Sequence, residues 1–207
     1  MMSEKTKKYL WILAIGAVFA TAYPLANWLS GIRGAREVPL GLEPYIPFIP
    51  WMIFIYLGVF PYIMISGIFC KKYEHIRDMA RAVIALILSS TLFYIIFPTT
   101  MPRPEVDSVS GFTGWLFKIL RGADRPNNVF PSLHVSAVVL ISIINAHHFP
   151  KSKWLGVLAV LAVSASTLFV KQHAVVDILG GIIFGVGAYY IFFKKPNQKE
   201  QPNEQAL

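Results

Sequence analysis

The chain has 207 residues, of which 55% are hydrophobic and only 14% are charged, and its mean hydropathy is +0.54. Soluble domains carry about a quarter charged residues, so the composition argues against a soluble globular fold, and one cysteine, Cys70, is too few for a disulfide framework or a thiolate metal cluster. The formal net charge of +8 does not indicate a nucleic-acid partner, because the basic residues lie at the ends of apolar segments rather than on one face.

Six apolar segments are long enough to cross a bilayer, at about 20 residues per crossing. They predict an all-α integral membrane bundle of six transmembrane helices, with little chain left over. We expect residues 1–195 to form one domain and the polar residues 196–207 to form a disordered tail. The predicted spans are Tyr9 to Leu29, Phe48 to Cys70, Ala82 to Pro98, Pro131 to Phe149, Trp154 to Val170 and Ala174 to Phe193.

The distribution of basic residues predicts that both termini are cytoplasmic. With the N-terminus inside, twelve of the nineteen lysines and arginines face the cytoplasm. The connections 30–47, 99–130 and 171–173 then face the opposite side of the membrane. The basic residues assigned to the cytoplasm are Lys5, Lys7, Lys8, Lys71, Lys72, Arg77, Arg81, Lys151, Lys153, Lys194, Lys195 and Lys199.

The first span also has features of a secretory signal peptide. Lysines precede its apolar run, and Ala20-Thr21-Ala22 is typical of a cleavage site. The apolar run continues to Leu29, which is too long for a signal core, and its removal would leave one end of the chain on the wrong side. We therefore expect this span to be retained.

The two long external connections differ in what they carry. Residues 30–47 are rich in glycine and proline and predict a turn-rich loop or a short interfacial segment without catalytic chemistry. Residues 99–130 combine charged residues with an apolar stretch, Phe112 to Leu120, that predicts an interfacial helix. Arg103, in a Pro-Arg-Pro run after the third span, is delivered to the same side.

Two histidines lie at the external ends of the fourth and sixth spans. His134 ends a Pro-Ser-Leu-His run that puts proline at a first helical position, and the free N–H groups of such a helix start favour anions. His173 and Asp177 are four residues apart, so the carboxylate can accept from one imidazole nitrogen and leave the other free for nucleophilic attack. These groups and Arg103 are expected to meet at one membrane face.

The remaining histidines and two of the glycines have simpler interpretations. His147 and His148 lie beside Lys151 and are predicted to be interfacial, and His75 is predicted to lie in a charged cytoplasmic loop. Gly181 and Gly185 have the spacing that lets two membrane helices approach closely.

In combination, these motifs resemble the type 2 phosphatidic acid phosphatase superfamily. The resemblance covers residues 97–185 and is carried by the Pro-Arg-Pro run, the Pro-Ser-Leu-His run and the spacing of His173 and Asp177. Leu133 stands where the family usually has glycine, a form similar to the inositol phosphorylceramide synthase-like branch and to many bacterial relatives. The resemblance implies an integral membrane enzyme, which we expect in a bacterial inner membrane with its site on the extracytoplasmic face that the basic residues predict.

The sequence departs from the family pattern in its predicted cations. Thr167 stands where the family has a phosphate-binding arginine, and Lys171 is the nearest residue that can replace that charge. The family's first motif pairs a lysine with a later Arg-Pro. Arg103 has the expected place at the end of the third span, whereas Lys118 and Arg125 have the expected spacing.

The resemblance implies hydrolysis of a lipid phosphate or diphosphate monoester through a phosphohistidine, without a metal or other cofactor. His173 would attack phosphorus, Asp177 would hold the reactive tautomer, and His134 would protonate the leaving oxygen. Phosphatidic acid, phosphatidylglycerol phosphate and undecaprenyl diphosphate all fit such a site. The implied phosphate-binding residues are Arg103, Lys171, Ser132, Leu133, Arg125 and Lys118.

Other functions stay open on the sequence alone. Transfer of the phosphoryl group to a lipid or polyol hydroxyl would make the chain a head-group phosphotransferase with the same phosphohistidine. An anion or lipid transporter would use Arg103 and Lys171 only to bind its cargo. His134 and His173 as axial haem ligands would leave the adjacent proline, serine and aspartate without a purpose. The sequence does not indicate an oligomeric state.

Overall fold

The structure is a computed structural model that describes residues 2–39, 41–69 and 72–193. The predicted tail, 196–207, and Cys70 lie outside the described residues. Short 3-10 turns cover Glu43–Tyr45, Pro50–Met52 and Pro150–Ser152. In chain order the other elements are α1 (Glu4–Arg33), β1 (Arg36–Glu37), α2 (Ile53–Leu57), α3 (Val59–Phe69), α4 (Tyr73–Ile96), β2 (Thr99–Thr100), α5 (Gly111–Ala123), α6 (Leu133–His148), α7 (Lys153–Phe169) and α8 (Val175–Ala188), followed by a π-helix over Tyr189–Phe193.

The chain forms an all-α membrane bundle, as its composition predicts. Within the described ranges, five helices are long and apolar enough to cross a membrane. The fourth predicted span corresponds to α6, which is apolar but has only 16 residues. Six crossings and two cytoplasmic termini therefore stay a prediction. The five helices are Glu4–Arg33, Pro50–Ile68, Tyr73–Ile96, Pro150–Phe169 and Val175–Phe193.

The helices begin at other residues than the predicted spans do, and two of these differences affect the interpretation. The third predicted span, which starts at Ala82, is the second part of α4. The charged residues before it are helical as well, so α4 begins at Tyr73. The fourth begins at Leu133, and Pro131 is not its first residue as predicted. Ser132 sets this start as the N-cap, because its hydroxyl accepts the N–H of Val135 at 3.3 Å.

α6 is the central helix of the bundle, and most of its residues are buried. α3, α4, α7 and α8 all pack against it, whereas α1 packs along α4. The ends of α1, α4 and α7 and the starts of α6 and α8 lie together, and we call this the site end of the bundle. Two connections meet there, because β1 and β2 pair in parallel with Arg36 opposite Thr99.

Two glycines let α8 lie directly against α6, which confirms the interpretation of their spacing. A Cβ atom on Gly181 would lie 2.8 Å from the carbonyl oxygen of Ser132, and one on Gly185 would lie 2.6 Å from that of Ser136. Both distances are shorter than van der Waals contact, so only glycine permits this approach. The close contact brings the starts of α6 and α8, with their histidine motifs, side by side.

Gly185→Ala is expected to destabilise the protein, because the added methyl group would press on the backbone of α6. Overpacking of this kind costs about 1–3 kcal/mol, so the Tm in detergent should fall. Gly187→Ala is the matched control on the same helix, because a Cβ there meets no described atom within 4 Å. The Tm of the control should stay the same or rise. Equal Tm values for the two variants would contradict the proposed helix contact.

Candidate active site

Two imidazoles face a cavity of about 280 Å³ at the site end of the bundle. The ring centroids of His134 and His173 lie 6.2 Å apart, and the ring planes are inclined by 57°. Side chains of α1, α2, α3, α4 and α5 complete the lining, so we call this space the histidine cavity. The fold thus brings together the two histidines that the sequence motifs single out.

The His173 ring is held through its Nδ1 atom. Nδ1 lies 2.9 Å from the carbonyl oxygen of Val129 and 3.5 Å from Oδ2 of Asp177. Because a carbonyl only accepts, Nδ1 carries the proton and Nε2 is the basic nitrogen in the neutral ring. Oδ2 of the fully buried Asp177 also accepts the N–H of Ala174 at 2.7 Å. Nδ1 therefore donates its hydrogen bond to the Val129 carbonyl, and Asp177 lies at ion-pair distance.

The His134 ring is held by packing between aromatic side chains. It stacks on Tyr56 with ring centroids 4.2 Å apart, and Phe60 meets it edge-on at 5.8 Å. Its Nε2 atom is buried and has no hydrogen-bond partner among the described residues. A buried ring nitrogen of this kind needs a polar partner, which a ligand in the histidine cavity would provide.

Arg103 is buried in an ion pair behind the wall of the histidine cavity. Only 4% of its side chain is exposed, and its Nη2 lies 3.2 Å from Oδ2 of Asp124. Its Nη1 donates to the carbonyl of Asp124 at 2.8 Å, and Asp124 itself lines the cavity. Tyr23 of α1 donates its hydroxyl to the same carboxylate at 2.8 Å. Nε of Arg103 is left without a partner in the described part of the chain.

Lys171 points towards the connection between β1 and α2 and does not line the histidine cavity. Its ammonium group donates to the carbonyl of Glu43 at 2.6 Å and to that of Ile46. The Glu43 carboxylate accepts the N–H of Val175 at 2.5 Å. Burial lowers the pKa of Lys171, and the charge of Glu43 opposes this shift. A connection predicted to lack chemistry thus holds the loop that carries His173.

The other predicted phosphate-binding residues differ in their distance from the histidines. Leu133 lines the histidine cavity. Ser132 is fully buried and uses its hydroxyl oxygen as the cap of α6. Lys118 and Arg125 are exposed and do not line the cavity. The structure therefore does not bring these two cations to the histidine pair.

Asn128 lines the histidine cavity and was not singled out from the sequence. It is 1% exposed, and its Oδ1 accepts the hydroxyl of Ser30 at 2.7 Å. Its Nδ2 is buried, and no described residue accepts from it. Its φ is 59°, in the left-handed region that asparagine tolerates better than most residues. The available signal was an Asn-Asn pair shortly before the Pro-Ser-Leu-His run.

Arg121 is the second residue that sequence reasoning missed. Its Nη2 donates to the carbonyl of Pro104 at 3.3 Å, next to Arg103, and its buried Nε finds no partner in the described ranges. Burial lowers the pKa of Arg121, and the positive charge of Arg103 lowers it further. Neighbouring guanidinium groups with unused N–H donors favour an anion. The apolar pattern of α5 indicated only an interfacial helix.

Comparison with known families gives a match that covers most of the chain. The model of the PAP2 superfamily matches residues 43–191, a stretch that begins at the Glu43 turn and includes both histidine motifs. No curated protein and no solved structure matches the chain. The similarity to the inositol phosphorylceramide synthase-like branch stays a prediction.

Proposed function

Because the chain belongs to the PAP2 superfamily, we propose that it is a membrane lipid phosphatase that cleaves a phosphate or diphosphate monoester through a phosphohistidine on His173. Membership supports phosphoester hydrolysis or phosphoryl transfer, and the membrane helices favour a lipid as the substrate. The observation that carries the proposal is the pair of imidazoles, 6.2 Å apart, in one cavity.

The proposed phosphate site is the histidine cavity, where His134, His173 and Asn128 all contribute to the lining. Asn128 would donate through Nδ2 to a non-reacting oxygen, whereas Arg103 and Arg121, which do not line the cavity, would contribute positive charge from outside its lining. The backbone at Leu133, the first residue of α6, adds the positive end of a helix dipole. Lys171 is a positioning residue in this proposal, because its ammonium group already binds carbonyls.

In the first chemical step, Nε2 of His173 attacks phosphorus and the bond from phosphorus to the leaving oxygen breaks. His134, which enters this step as the imidazolium with a proton on both ring nitrogens, gives the proton on Nε2 to that oxygen and becomes neutral, so a neutral alcohol or a protonated lipid phosphate departs. His173 becomes positively charged as it is phosphorylated. The Val129 carbonyl, 2.9 Å from Nδ1, and the Asp177 carboxylate stabilise that charge.

In the second step, neutral His134 accepts a proton from water while the water oxygen attacks phosphorus. The bond between phosphorus and Nε2 of His173 breaks, its electron pair returns to nitrogen, and inorganic phosphate leaves. No step in this proposal uses a metal. We place the site on the extracytoplasmic face of a bacterial inner membrane, with α6 as the fourth of six crossings, because the basic residues predict that orientation.

Phosphate release by the purified protein in detergent tests this proposal. The substrates are undecaprenyl diphosphate, phosphatidic acid and phosphatidylglycerol phosphate, each with a chelator and, separately, with magnesium. We expect release from at least one lipid with the chelator present. If added glycerol becomes phosphorylated instead, the chain is a phosphotransferase. A protein that forms neither product would contradict the proposed activity.

A further inference from the structure

A second cavity, of about 600 Å³, adjoins the histidine cavity between α1 and α3. Phe19, Phe60, Leu133 and His134 line both cavities, so the two spaces adjoin at these four side chains. Apart from His134, the side chains that line the second cavity are all apolar. The two cavities together provide one polar end and one long apolar end.

The second cavity extends along the helices, away from the site end. On α3 its lining runs from Val59 to Gly67, and on α4 it runs from Met79 to Ile87. At ~1.5 Å per residue, each stretch covers about 12 Å. The cavity exists because α1 packs along α4 while α3 packs against α6, which leaves a gap between α1 and α3.

This gap opens towards the side of the bundle. Leu13 on α1 is 66% exposed, and Met64 on α3 is 50% exposed, although both line the cavity. In a membrane these side chains face the hydrocarbon layer. A hydrocarbon chain can therefore enter between the two helices without leaving the apolar phase.

We infer that this second cavity, which we call the tail cavity, holds one hydrocarbon chain of the substrate while its phosphate lies between His134 and His173. The inference rests on the proposed function. Because the cavities share the wall at His134, a chain in the tail cavity places its terminal phosphate at the imidazoles. The hydrocarbon chain is already in an apolar environment in the bilayer, so binding in the cavity adds packing contacts and a fixed position. The cavity therefore orients the reacting phosphate group.

Gly16→Leu is the test of the tail cavity. Gly16 lines it, and a Cβ there meets no described atom within 4 Å, so leucine fills open space without a clash. Gly187→Leu is the matched control, with the same free space on α8 and no part in the lining. The substrates are butyl, hexyl and octyl phosphate, which are monomeric in water, and kcat/KM is measured for each.

The wild type and Gly187→Leu should show a kcat/KM that rises by up to about fourfold per added methylene. Gly16→Leu should flatten this rise, with the largest loss of kcat/KM for octyl phosphate. The alkyl phosphates partition into the detergent micelle equally with all three proteins. A difference in the rise of kcat/KM with chain length therefore reports on the cavity. Leu13→Trp changes an exposed residue of the same cavity wall and should also flatten the rise of kcat/KM with chain length. This second variant keeps the test valid if Gly16→Leu does not fold.

Equal slopes in all variants would overturn the tail cavity as a substrate site and leave it to bilayer lipid or a second copy of the chain. Failure of the wild type to hydrolyse any alkyl or lipid phosphate would overturn the proposed function, and the tail assignment with it. The two failures are therefore distinguishable by the wild type alone.

Discussion

Replacing His173 by alanine is expected to lower phosphate release by at least about 1,000-fold, because no other group in the proposed mechanism can form the phosphohistidine. The imidazole is also the group that the Val129 carbonyl and Asp177 hold in place. Alanine leaves those partners without a nucleophile to orient. The rate is measured with the lipid substrate that the wild type hydrolyses fastest.

The matched control is His147→Ala, at the opposite end of α6 from His134. The ring of His147 meets the ring of Tyr189 edge-on, with the ring centroids 6.4 Å apart. His147 takes no part in the proposed mechanism. The rate of phosphate release by His147→Ala should stay within about threefold of the wild-type rate. Mass spectrometry of rapidly quenched protein should find a phosphoryl group on His173 in the wild type and none in His173→Ala. A rate in His173→Ala within tenfold of the wild type would rule out the proposed nucleophile.

Replacing His134 by glutamine is expected to lower hydrolysis of an alkyl phosphate by about 100- to 10,000-fold, the contribution of a general acid and base. Glutamine cannot protonate the leaving alkoxide, which departs poorly without a proton. The comparison substrate is p-nitrophenyl phosphate, whose phenolate leaves without one. Phosphorylation of His173 by this substrate should therefore be much less affected.

The second step still needs His134 as the base for water, so the phosphohistidine should accumulate. We expect His134→Gln to release about one p-nitrophenolate per protein in a fast burst, followed by slow turnover. The same variant should give no burst with octyl phosphate. Equal loss of the burst rate with both substrates would show that His134 does not act as the acid, and a stacking role on Tyr56 would then account for the loss.

The family has a phosphate-binding arginine at the position of Thr167. Because threonine carries no charge, the proposed mechanism needs a positive charge from another element. Thr167 is fully buried, and its hydroxyl donates to the carbonyl of Ser164 at 2.7 Å. Lys171 is bound to the carbonyls of Glu43 and Ile46. In the proposal, Arg121 on α5 adds a second positive charge beside Arg103, and both guanidinium groups act from outside the lining of the histidine cavity.

Local patterns in the sequence were enough to predict most of the secondary structure. Continuous apolar runs predict helices wherever about 20 residues must satisfy their backbone bonds in a membrane. The apolar run Phe112 to Leu120 forms the middle of α5. Gly181 and Gly185, whose spacing predicted a close helix contact, lie where α8 packs on α6. The same patterns placed His134 and His173 at the starts of two helices.

The tertiary structure decided which groups surround those histidines. Val129 binds His173 across 44 positions of sequence, and Glu43 accepts from Val175 across 132. Arg121 and Asn128 gained buried, unpartnered donors within the described chain only through the packing of α5 and α1. Hydropathy and helix periodicity report which face of a segment is apolar. They carry no information on which distant segment lies opposite, because that depends on the joint packing of all the helices.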